Sequence, residues 1–358
     1  MTDHYRRKTR PLFLGNVQIG GDAPVSVQSM TSTDTRDVGK TLAQIRRLEK
    51  AGCEIVRIAV PDEAAAAAIP KIRAKIRIPL IADIHFHHRL AIMAIEAGVE
   101  GIRINPGNMD KKAIPAVVKA ARERGTVIRI GVNAGSLEKD LLEKHKGPDA
   151  GALVESALRH IHLLEDLGFN QIKVSLKSSD VPVMIRAYQL LSEKVDYPLH
   201  LGVTEAGSLM RATVKSSIGI GTLLYQGIGD TIRVSVTGDP VKEIPVAYGI
   251  LRALKMRMVG PDIISCPTCG RCEIDLLKLS RAVEKRLAGR KDYLKVALMG
   301  CVVNGPGEAA EADVGIAGGR GAGMLFRKGR IVRRVKEEDF VEALLAEIQD
   351  ITKEKKEA

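Results

Sequence analysis

The chain has few aromatic residues and no long apolar run. Phe, Tyr and Trp together make up 3% of its 358 residues, and there is no Trp. The core must therefore be built from Val, Ile, Leu and Ala, which suits parallel strands packed against helices. No stretch reaches about 18 uninterrupted apolar residues, so we expect no membrane-spanning helix. We expect no secretory signal either, because the start, MTDHYRRKTR, is charged and the apolar stretch after it is short.

Cysteine is also scarce, and its distribution is uneven. Only five cysteines occur, and four of them fall between positions 266 and 301. Without a secretory signal we expect a cytoplasmic protein, where thiols stay reduced. A cysteine cluster in that compartment indicates a metal site or catalysis rather than disulfides.

The charge balance favours anionic partners. The formal net charge is +12 and the pI is near 9.5, which suits phosphorylated metabolites, nucleic acid or an acidic protein. Nucleic acid is the weaker choice, because no basic run is interleaved with stacking aromatic residues. Nucleotide-binding fingerprints are absent as well: no GxGxxG follows the first strand, and no glycine-rich stretch ends in GK[ST].

Short β-rich runs alternate with helical stretches from about residue 25 to residue 240. Eight such units predict a TIM-type (β/α)8 barrel over residues 1–260, followed by a small α+β domain over 261–358 that carries the clustered cysteines. A doubly wound open sheet is the competing architecture, and the missing GxGxxG speaks against it. The predicted barrel strands are 25–30, 54–60, 79–86, 101–105, 127–133, 171–177, 198–203 and 231–236.

Charged side chains alternate with apolar ones along these strands. Because the helix-facing side of a barrel strand must be apolar, the charged side chains are expected to face the lumen. Burying so many cations is costly unless an anion meets them near the open mouth, and arginine suits bidentate phosphate recognition. The alternative is pairing with luminal carboxylates such as Asp83 or Glu205, which are too few. The predicted luminal cations are Arg57, Arg103, Arg129, Lys177 and Arg233.

The clustered cysteines have the spacing of a metal or iron–sulfur site. Cys266 and Cys269 form a C-x2-C pair, and Cys301 and Glu308 follow as C-x6-E. Structural zinc held by the first two cysteines with Cys272 and Cys301 is an alternative, as is a C-x2-C-x2-C iron–sulfur pattern that uses Cys272.

Asp83 and His85 lie on one strand face and could bind a metal. Metal-dependent barrel hydrolases need further histidines on later strands, and the runs at 127–133 and 171–177 contain none. Hydrogen bonding to a substrate is therefore the favoured role for these two residues.

Taken together, the motifs resemble those of a known family. QSMTSTDT, ADIHF, RINPGN, RIGVNAGSL, KVSLKSSD, LGVTEAG, GIGDTIRVSVTG, CPTCGR and GCVVNGPGEA occur in order from about residue 10 to residue 345. This series resembles the bacterial 4-hydroxy-3-methylbut-2-enyl diphosphate synthases of the methylerythritol phosphate route to isoprenoids. The resemblance implies a barrel that binds 2-C-methyl-D-erythritol 2,4-cyclodiphosphate and a C-terminal domain that carries a 4Fe-4S cluster.

The resemblance also implies roles for individual residues. The cluster ligands would be Cys266, Cys269, Cys301 and Glu308, and Cys272 is a departure that the family pattern does not require. The diphosphate clamp would be Arg57, Arg103, Arg129, Lys177, Arg233 and Ser235. The rest of the pocket would be lined by Asp83, His85, Asn105, Asn133, Thr204 and Glu205, with Asn304 beside the cluster.

The implied reaction is a two-electron ring opening with loss of a hydroxyl group as water. Glu308 is the expected labile ligand, because a carboxylate is a harder ligand for iron than a thiolate. Glu205 is a candidate proton donor. The electron donor would be an external flavodoxin or ferredoxin, and we expect a homodimer in which one chain's cluster domain closes the other's barrel. A zinc-stabilised barrel hydrolase or aldolase and a noncatalytic nucleic-acid binder are the rival classes.

Overall fold

The computed structural model describes residues 6–84, 87–105, 109–301, 307 and 310–357. Three predicted site residues, His85, Asn304 and Glu308, lie outside the described residues. The chain divides into two compact units, Met1–Arg257 and Met258–Ala358.

The first unit is built around eight parallel strands. Their order in the sheet is β8-β7-β6-β5-β4-β3-β10-β9, and a β-bridge between Val174 and Leu199 joins the two ends, so the sheet closes into the predicted barrel. Each strand coincides with a predicted run, although the last two are shorter than expected. The strands are β3 Ser26–Met30, β4 Ile55–Ala59, β5 Leu80–Asp83, β6 Gly101–Ile104, β7 Val127–Asn133, β8 Ile172–Lys177, β9 His200–Leu201 and β10 Thr231–Ile232.

Helices surround the barrel and place their apolar faces against it. In the first of them the buried residues include Leu42, Ile45 and Leu48, at the spacing of one helix face. Several helices begin after an aspartate whose side chain accepts a backbone N–H, as Asp62 does from Ala65 at 2.8 Å. The helices are α1 Val38–Ala51, α2 Glu63–Arg73, α3 His88–Glu96, α4 Ile114–Arg124, α5 Lys139–His145, α6 Ala150–Glu165, α7 Val181–Ser192, α8 Leu209–Tyr225 and α9 Glu243–Ala253.

A β-hairpin that the sequence did not predict closes the amino-terminal end of the barrel. It consists of β1 (Leu12–Leu14) and β2 (Val17–Ile19), paired antiparallel. Its inner residues pack against the first residues of the barrel strands. Leu14 approaches Gly101 so closely that a Cβ atom on Gly101 would lie 2.9 Å from Leu14 Cδ2. The buried cluster comprises Leu12, Leu14, Ile19, Ile55, Ile81 and Val127. The hairpin therefore covers the amino-terminal ends of the strands, and their carboxyl ends are the expected mouth of the lumen.

In its described residues, the second unit is a five-stranded mixed sheet with two helices. The sheet order is β11-β12-β13-β14-β15, with the first three strands parallel and the last two antiparallel to their neighbours. The first of these strands was not predicted, and the others match the expected runs. The elements are β11 Pro261–Ser265, α10 Leu276–Leu287, β12 Leu294–Met299, β13 Val314–Gly319, β14 Ala322–Arg327, β15 Arg330–Lys336 and α11 Phe340–Glu357.

The core of the second unit lies between its sheet and both helices. Leu279 and Val283 of α10 are buried together with Val296 and Ile316 of the sheet. The apolar stripe predicted for the terminal helix belongs to this core, with Leu344 and Ile348 fully buried. Within the described ranges, no helix is both long and apolar enough to cross a membrane.

Candidate active site

The predicted luminal cations are buried inside the barrel. Arg57, Arg103, Arg129 and Lys177 are each no more than 7% exposed, and the side chain of Arg233 is 16% exposed. Alternation along the strands dictates this arrangement, because the residues between the cations are apolar and pack under the helices. Five cationic side chains therefore converge on one lumen.

Asp83 lies between two of the arginines. Its carboxylate is 3.6 Å from Arg57 Nε and 3.4 Å from Arg103 Nη1. Arg103 Nη2 also donates to the carbonyl oxygen of Gly131 at 3.3 Å. In the amide orientation that satisfies both of its polar atoms, Asn133 accepts a hydrogen bond from Arg103 Nη2 at 2.9 Å. Asp83 and Asn133 thus hold the Arg103 guanidinium in one orientation.

Another buried carboxylate is Glu243, which the sequence did not single out. It lies at the first position of α9, is 2% exposed, and accepts from Arg233 Nη2 at 3.2 Å and from Arg233 Nε at 3.3 Å. Ser29 Oγ donates to it at 2.7 Å. Glu205, which had been considered as a luminal counter-charge, is instead exposed. The sequence did offer a signal for Glu243, because it is the single acidic residue of the apolar helix that follows Arg233.

Glu205 lies in the loop that follows β9, in a left-handed backbone conformation with φ of +52°. A residue with a Cβ adopts this conformation at a cost of about 1 kcal/mol, and such residues are enriched in turns and functional loops. Its neighbour Thr204 is partly buried, and the Thr204 backbone N–H donates to the carbonyl oxygen of Ser178 at 3.3 Å. Both residues belong to the carboxyl-terminal side of the barrel.

Arg129 and Lys177 are buried beside other cations of the lumen. Among the described residues, Arg129 Nε and Nη1 have no hydrogen-bond acceptor although they are fully buried. Burial, followed by the neighbouring arginines, lowers the pKa of Arg129. Burial together with Arg233 and Arg129 likewise holds the pKa of Lys177 well below its ordinary value. Buried donors without acceptors are costly, so this lumen is suited to an anion that accepts from them.

Polar residues surround these cations on the mouth side of the barrel. Asn105 follows β6 and donates from Nδ2 to Ser136 Oγ at 3.5 Å. Ser235 lies two residues beyond Arg233 and is partly buried. The structure therefore brings the described members of the predicted substrate set to the lumen or to the loops at the carboxyl ends of its strands.

In the second unit, Cys266 and Cys301 follow adjacent parallel strands. Cys266 comes directly after β11, Cys301 comes shortly after β12, and Ser265 pairs with Leu298. Cys266 Sγ accepts a hydrogen bond from the Gly300 backbone N–H at 3.2 Å, which orients this side chain at the end of the strand. Cys269 is exposed in the loop between β11 and α10.

Cys272, like Cys266, packs against the core of the second unit. Its thiol donates to the carbonyl oxygen of Ile274 at 3.2 Å. A Cβ atom on Gly300 would lie 2.4 Å from Cys272 Sγ, so the glycine is required for this close approach. Cys272 therefore has the contacts of a packed structural thiol.

Soft thiolate donors at the ends of parallel strands fit an iron–sulfur cluster in their chemistry. The part of the chain that the structure describes contains no group of three or more His, Cys, Asp or Glu side chains already placed around a metal ion. Glu308, the expected oxygen ligand, is not among the described residues. The thiols thus fit the group by type and by strand position.

Family models match both units. The GcpE TIM-barrel domain matches residues 9–248, and the GcpE protein C-terminal domain matches residues 262–350. The chain belongs to the GcpE family. The resemblance drawn from the sequence motifs is confirmed.

Relatives in the family match nearly the whole chain. A protein of Geobacter sulfurreducens is 59% identical over 351 residues, covering 98% of this chain and 99% of the relative. A protein of Caldanaerobacter subterraneus is 60% identical over 350 residues, with 98% and 99% coverage. Both are named 4-hydroxy-3-methylbut-2-en-1-yl diphosphate synthase (flavodoxin).

Solved structures that resemble this chain match its barrel. Dihydropteroate synthase from Stenotrophomonas maltophilia superposes with a TM-score of 0.51 at 15% identity, over 69% of this chain and 98% of that one. The Yersinia pestis enzyme gives a TM-score of 0.50 at 16% identity, with 69% and 99% coverage. At this identity the likeness concerns the fold alone.

Proposed function

We propose that this protein is a 4-hydroxy-3-methylbut-2-enyl diphosphate synthase. It reductively opens 2-C-methyl-D-erythritol 2,4-cyclodiphosphate and removes one hydroxyl group as water, in the non-mevalonate route to isoprenoids. The observation that carries the proposal is the cationic lumen, in which Arg129 Nε and Nη1 are buried and meet no acceptor among the described residues. The printed names of its relatives support the same conclusion.

The barrel, predicted over residues 1–260, binds and orients the cyclic diphosphate. Arg57, Arg103, Arg129, Arg233 and Lys177 contact its phosphate oxygens, and Ser235 adds a hydroxyl donor. Asp83 and Glu243 offset part of the positive charge of the lumen, because they pair with Arg103 and Arg233, and the remaining positive charge is available to the diphosphate. The diphosphate is the leaving group when the ring opens, and these fixed donors stabilise the charge that develops on it.

The remaining predicted residues line the sugar-derived part of the pocket. They are Asp83, His85, Asn105, Asn133, Thr204 and Glu205, with Asn304 close to the cluster. Glu205 is proposed to donate the proton that leaves with the hydroxyl group, since its loop lies at the carboxyl ends of the strands and its side chain is exposed.

The C-terminal domain, predicted over residues 261–358, is proposed to hold a 4Fe-4S cluster through Cys266, Cys269, Cys301 and Glu308. When bound, such a cluster supplies one-electron transfer and an iron whose oxygen ligand is exchangeable. The N–H of Gly300 that meets Cys266 Sγ supports the assignment of this thiol as a ligand.

Flavodoxin is the proposed electron donor, with ferredoxin as the alternative. The relatives carry flavodoxin in their names. This chain contains no nucleotide-binding fingerprint of its own, so the electrons come from another protein.

We also propose a homodimer in which the cluster domain of one chain closes the barrel of the other. The linking segment around residues 257–260 is short, which limits how far a domain can fold back over its own barrel. Helix α8 supports a protein interface, since it exposes Met210, Val214, Ile218 and Tyr225 at 75%, 51%, 54% and 72%. Exposed apolar side chains that share a helix are typical of interaction surfaces.

An anaerobic preparation tests the cofactor assignment. Absorbance near 400 nm together with iron and acid-labile sulfide is expected. Zinc without visible absorbance would favour a barrel hydrolase or aldolase. Steep salt-dependent binding to DNA or RNA without turnover of the cyclic diphosphate would instead favour a nucleic-acid binder.

A further inference from the structure

A lysine that belongs to none of the predicted contacts lies deeper in the barrel lumen. Lys173 shares a strand face with Ser175 and Lys177 on β8 but is nearer the amino-terminal end. It is 0% exposed, and in the described part of the chain its Nζ has no hydrogen-bond partner. Its Cα pairs with that of Arg129 on the neighbouring strand.

The groups around Lys173 are mostly positive. Arg129 of β7 and Arg57 of β4 both act on it electrostatically, and Asp230, just before β10, is the carboxylate that opposes them. Asp230 is already engaged, because it accepts from Arg6 Nη2 at 3.1 Å, from Thr9 Oγ1 at 2.9 Å and from the Leu199 N–H at 2.8 Å.

His200 of β9 is the other titratable group at this depth. It is fully buried, its Nδ1 lies 2.6 Å from Thr231 Oγ1, and its Nε2 has no partner among the described residues. On the outer side of the strand, the Tyr188 hydroxyl donates to the His200 carbonyl oxygen and accepts from the Leu176 N–H. That hydroxyl therefore gives no acceptor to Lys173.

Burial, reinforced by Arg129 and Arg57, holds the pKa of Lys173 well below its ordinary value. A charge on this amine is disfavoured, since two guanidinium groups repel it, no acceptor meets it among the described residues, and the opposing carboxylate of Asp230 is engaged elsewhere. A lysine can respond by releasing its proton, whereas arginine keeps its charge under nearly all conditions.

We propose that Lys173 is an uncharged amine in the free barrel and becomes an ammonium ion when a doubly charged anion occupies the arginine cluster, so that substrate and proton bind together. The anion replaces net repulsion at Lys173 by net attraction, acting through a medium of low dielectric constant. This inference rests on the proposed function, because it takes the cyclic diphosphate as that anion.

The other basic groups are less suited to this role. Arg129 does not release its proton, and Lys177, nearer the mouth, is proposed to contact the phosphates directly. His200 is held by Thr231 at Nδ1, and proton uptake at its Nε2, which has no partner among the described residues, is the competing outcome that a His200 variant tests. Lys173 combines complete burial, a missing acceptor and a position next to the proposed anion without contacting it.

Isothermal titration calorimetry of the full-length, cluster-loaded protein tests the proposal. The cyclic diphosphate is titrated at one pH in buffers of different ionisation enthalpy, and the slope of the observed enthalpy gives the protons taken up. The ligand does not titrate near neutral pH, because each of its phosphates has a single strongly acidic hydroxyl. We expect an uptake of about one proton per site, and an affinity that weakens about tenfold per pH unit between the free and bound pKa values of Lys173.

Lys173→Met is the decisive variant and His200→Gln its control. Methionine fills a similar volume without a buried amine, so the fold is expected to persist. The methionine variant should bind the cyclic diphosphate with little or no proton uptake, and its affinity should be nearly independent of pH. Its affinity should therefore fall below that of the wild-type protein mainly at low pH. The His200 variant should keep the wild-type uptake. If the methionine variant fails to fold, lysine side-chain NMR of the wild-type protein should still show a new ammonium signal on ligand addition.

The outcomes separate this inference from the proposed function. Binding of the cyclic diphosphate without proton uptake in the wild-type protein overturns the inference and leaves the function intact. Undiminished uptake in Lys173→Met also overturns it, because another group then accepts the proton. Absence of any binding heat argues against the proposed function; sulfate, a non-titrating doubly charged anion, should then still cause uptake if the inference holds.

Discussion

Arg129 is the residue on which anion binding depends most in this account. Replacing it by lysine retains a positive charge but loses the two-pronged geometry of the guanidinium group. A charge-assisted hydrogen bond contributes about 1.5 to 3 kcal/mol, so we expect Arg129→Lys to lower kcat/KM by about tenfold or more. Steady-state kinetics with the cyclic diphosphate measure this. Arg124→Lys, at an exposed position of α4, is the matched control and should behave as wild type; equal kinetics in both variants would mean that Arg129 does not contact phosphate.

Cys272 and Glu308 are the two candidates for the fourth cluster ligand, and variants of them distinguish the two assignments. Cys272 is packed against Gly300 and donates to Ile274, so Cys272→Ser should keep the cluster absorbance and most of the activity. Glu308→Gln should impair turnover and loosen the cluster, because the exchangeable oxygen ligand is changed. Iron content, sulfide content and turnover of the two variants are the measurements. Loss of the cluster in Cys272→Ser with normal turnover in Glu308→Gln would reverse the assignment.

At the scale of elements, the hairpin β1–β2 covers the amino-terminal end of the barrel. Leu14 is fully buried beside Gly101, while Phe13 on the same strand is 58% exposed. We expect Leu14→Ala to lower the free energy of unfolding by about 2 to 5 kcal/mol. Phe13→Ala should change it by less than about 0.5 kcal/mol. Urea denaturation of both variants measures the difference, and equal losses would mean that the hairpin does not pack as the barrel floor.

The start of α9 supplies the charge that balances Arg233. Glu243→Gln leaves that arginine without a carboxylate, which should cost about 3 kcal/mol of stability. Because Glu243→Gln makes the lumen more positive, the affinity for the cyclic diphosphate should be at least as high as in the wild-type protein, although the stability falls. The exposed pair of Arg286 and Glu342 is the control, and Glu342→Gln should cost less than about 1 kcal/mol. A stability loss no larger than that of the control would show that the Glu243 pair contributes little.

The barrel strands could be predicted from the sequence, whereas the hairpin, strand β11 and the role of Glu243 could not. Strict alternation in runs such as 127–133 predicted the barrel strands and the luminal cations, because one face of each strand must meet the helices. The hairpin was missed since each of its strands has only three residues, too few for a periodic signal. Strand β11 begins at Pro261, directly at the predicted boundary between the two domains. Glu243 was missed because a single acid on an apolar helix indicates a buried carboxylate without identifying its partner, and the contact with Arg233 is tertiary.

At the scale of the whole molecule, the proposed dimer predicts complementation between two inactive chains. Arg129→Ala disables the barrel and Cys266→Ser disables the cluster. If each cluster domain serves the partner's barrel, a heterodimer of the two has one intact site and should show about half of the wild-type activity per dimer. Co-purified heterodimers with two affinity tags measure this. Absence of activity in a stable heterodimer, or full activity of a dilute monomer, would contradict the shared site.

The central claim is that this chain reduces a cyclic diphosphate with electrons from a flavodoxin. The most direct measurement incubates the anaerobically purified protein with reduced flavodoxin and 2-C-methyl-D-erythritol 2,4-cyclodiphosphate, and follows product and flavodoxin oxidation together. The account predicts 4-hydroxy-3-methylbut-2-enyl diphosphate, with about two electrons consumed for each molecule formed. A preparation with full iron and sulfide that binds the cyclic diphosphate but yields no product, with either reduced flavodoxin or reduced ferredoxin, would contradict it.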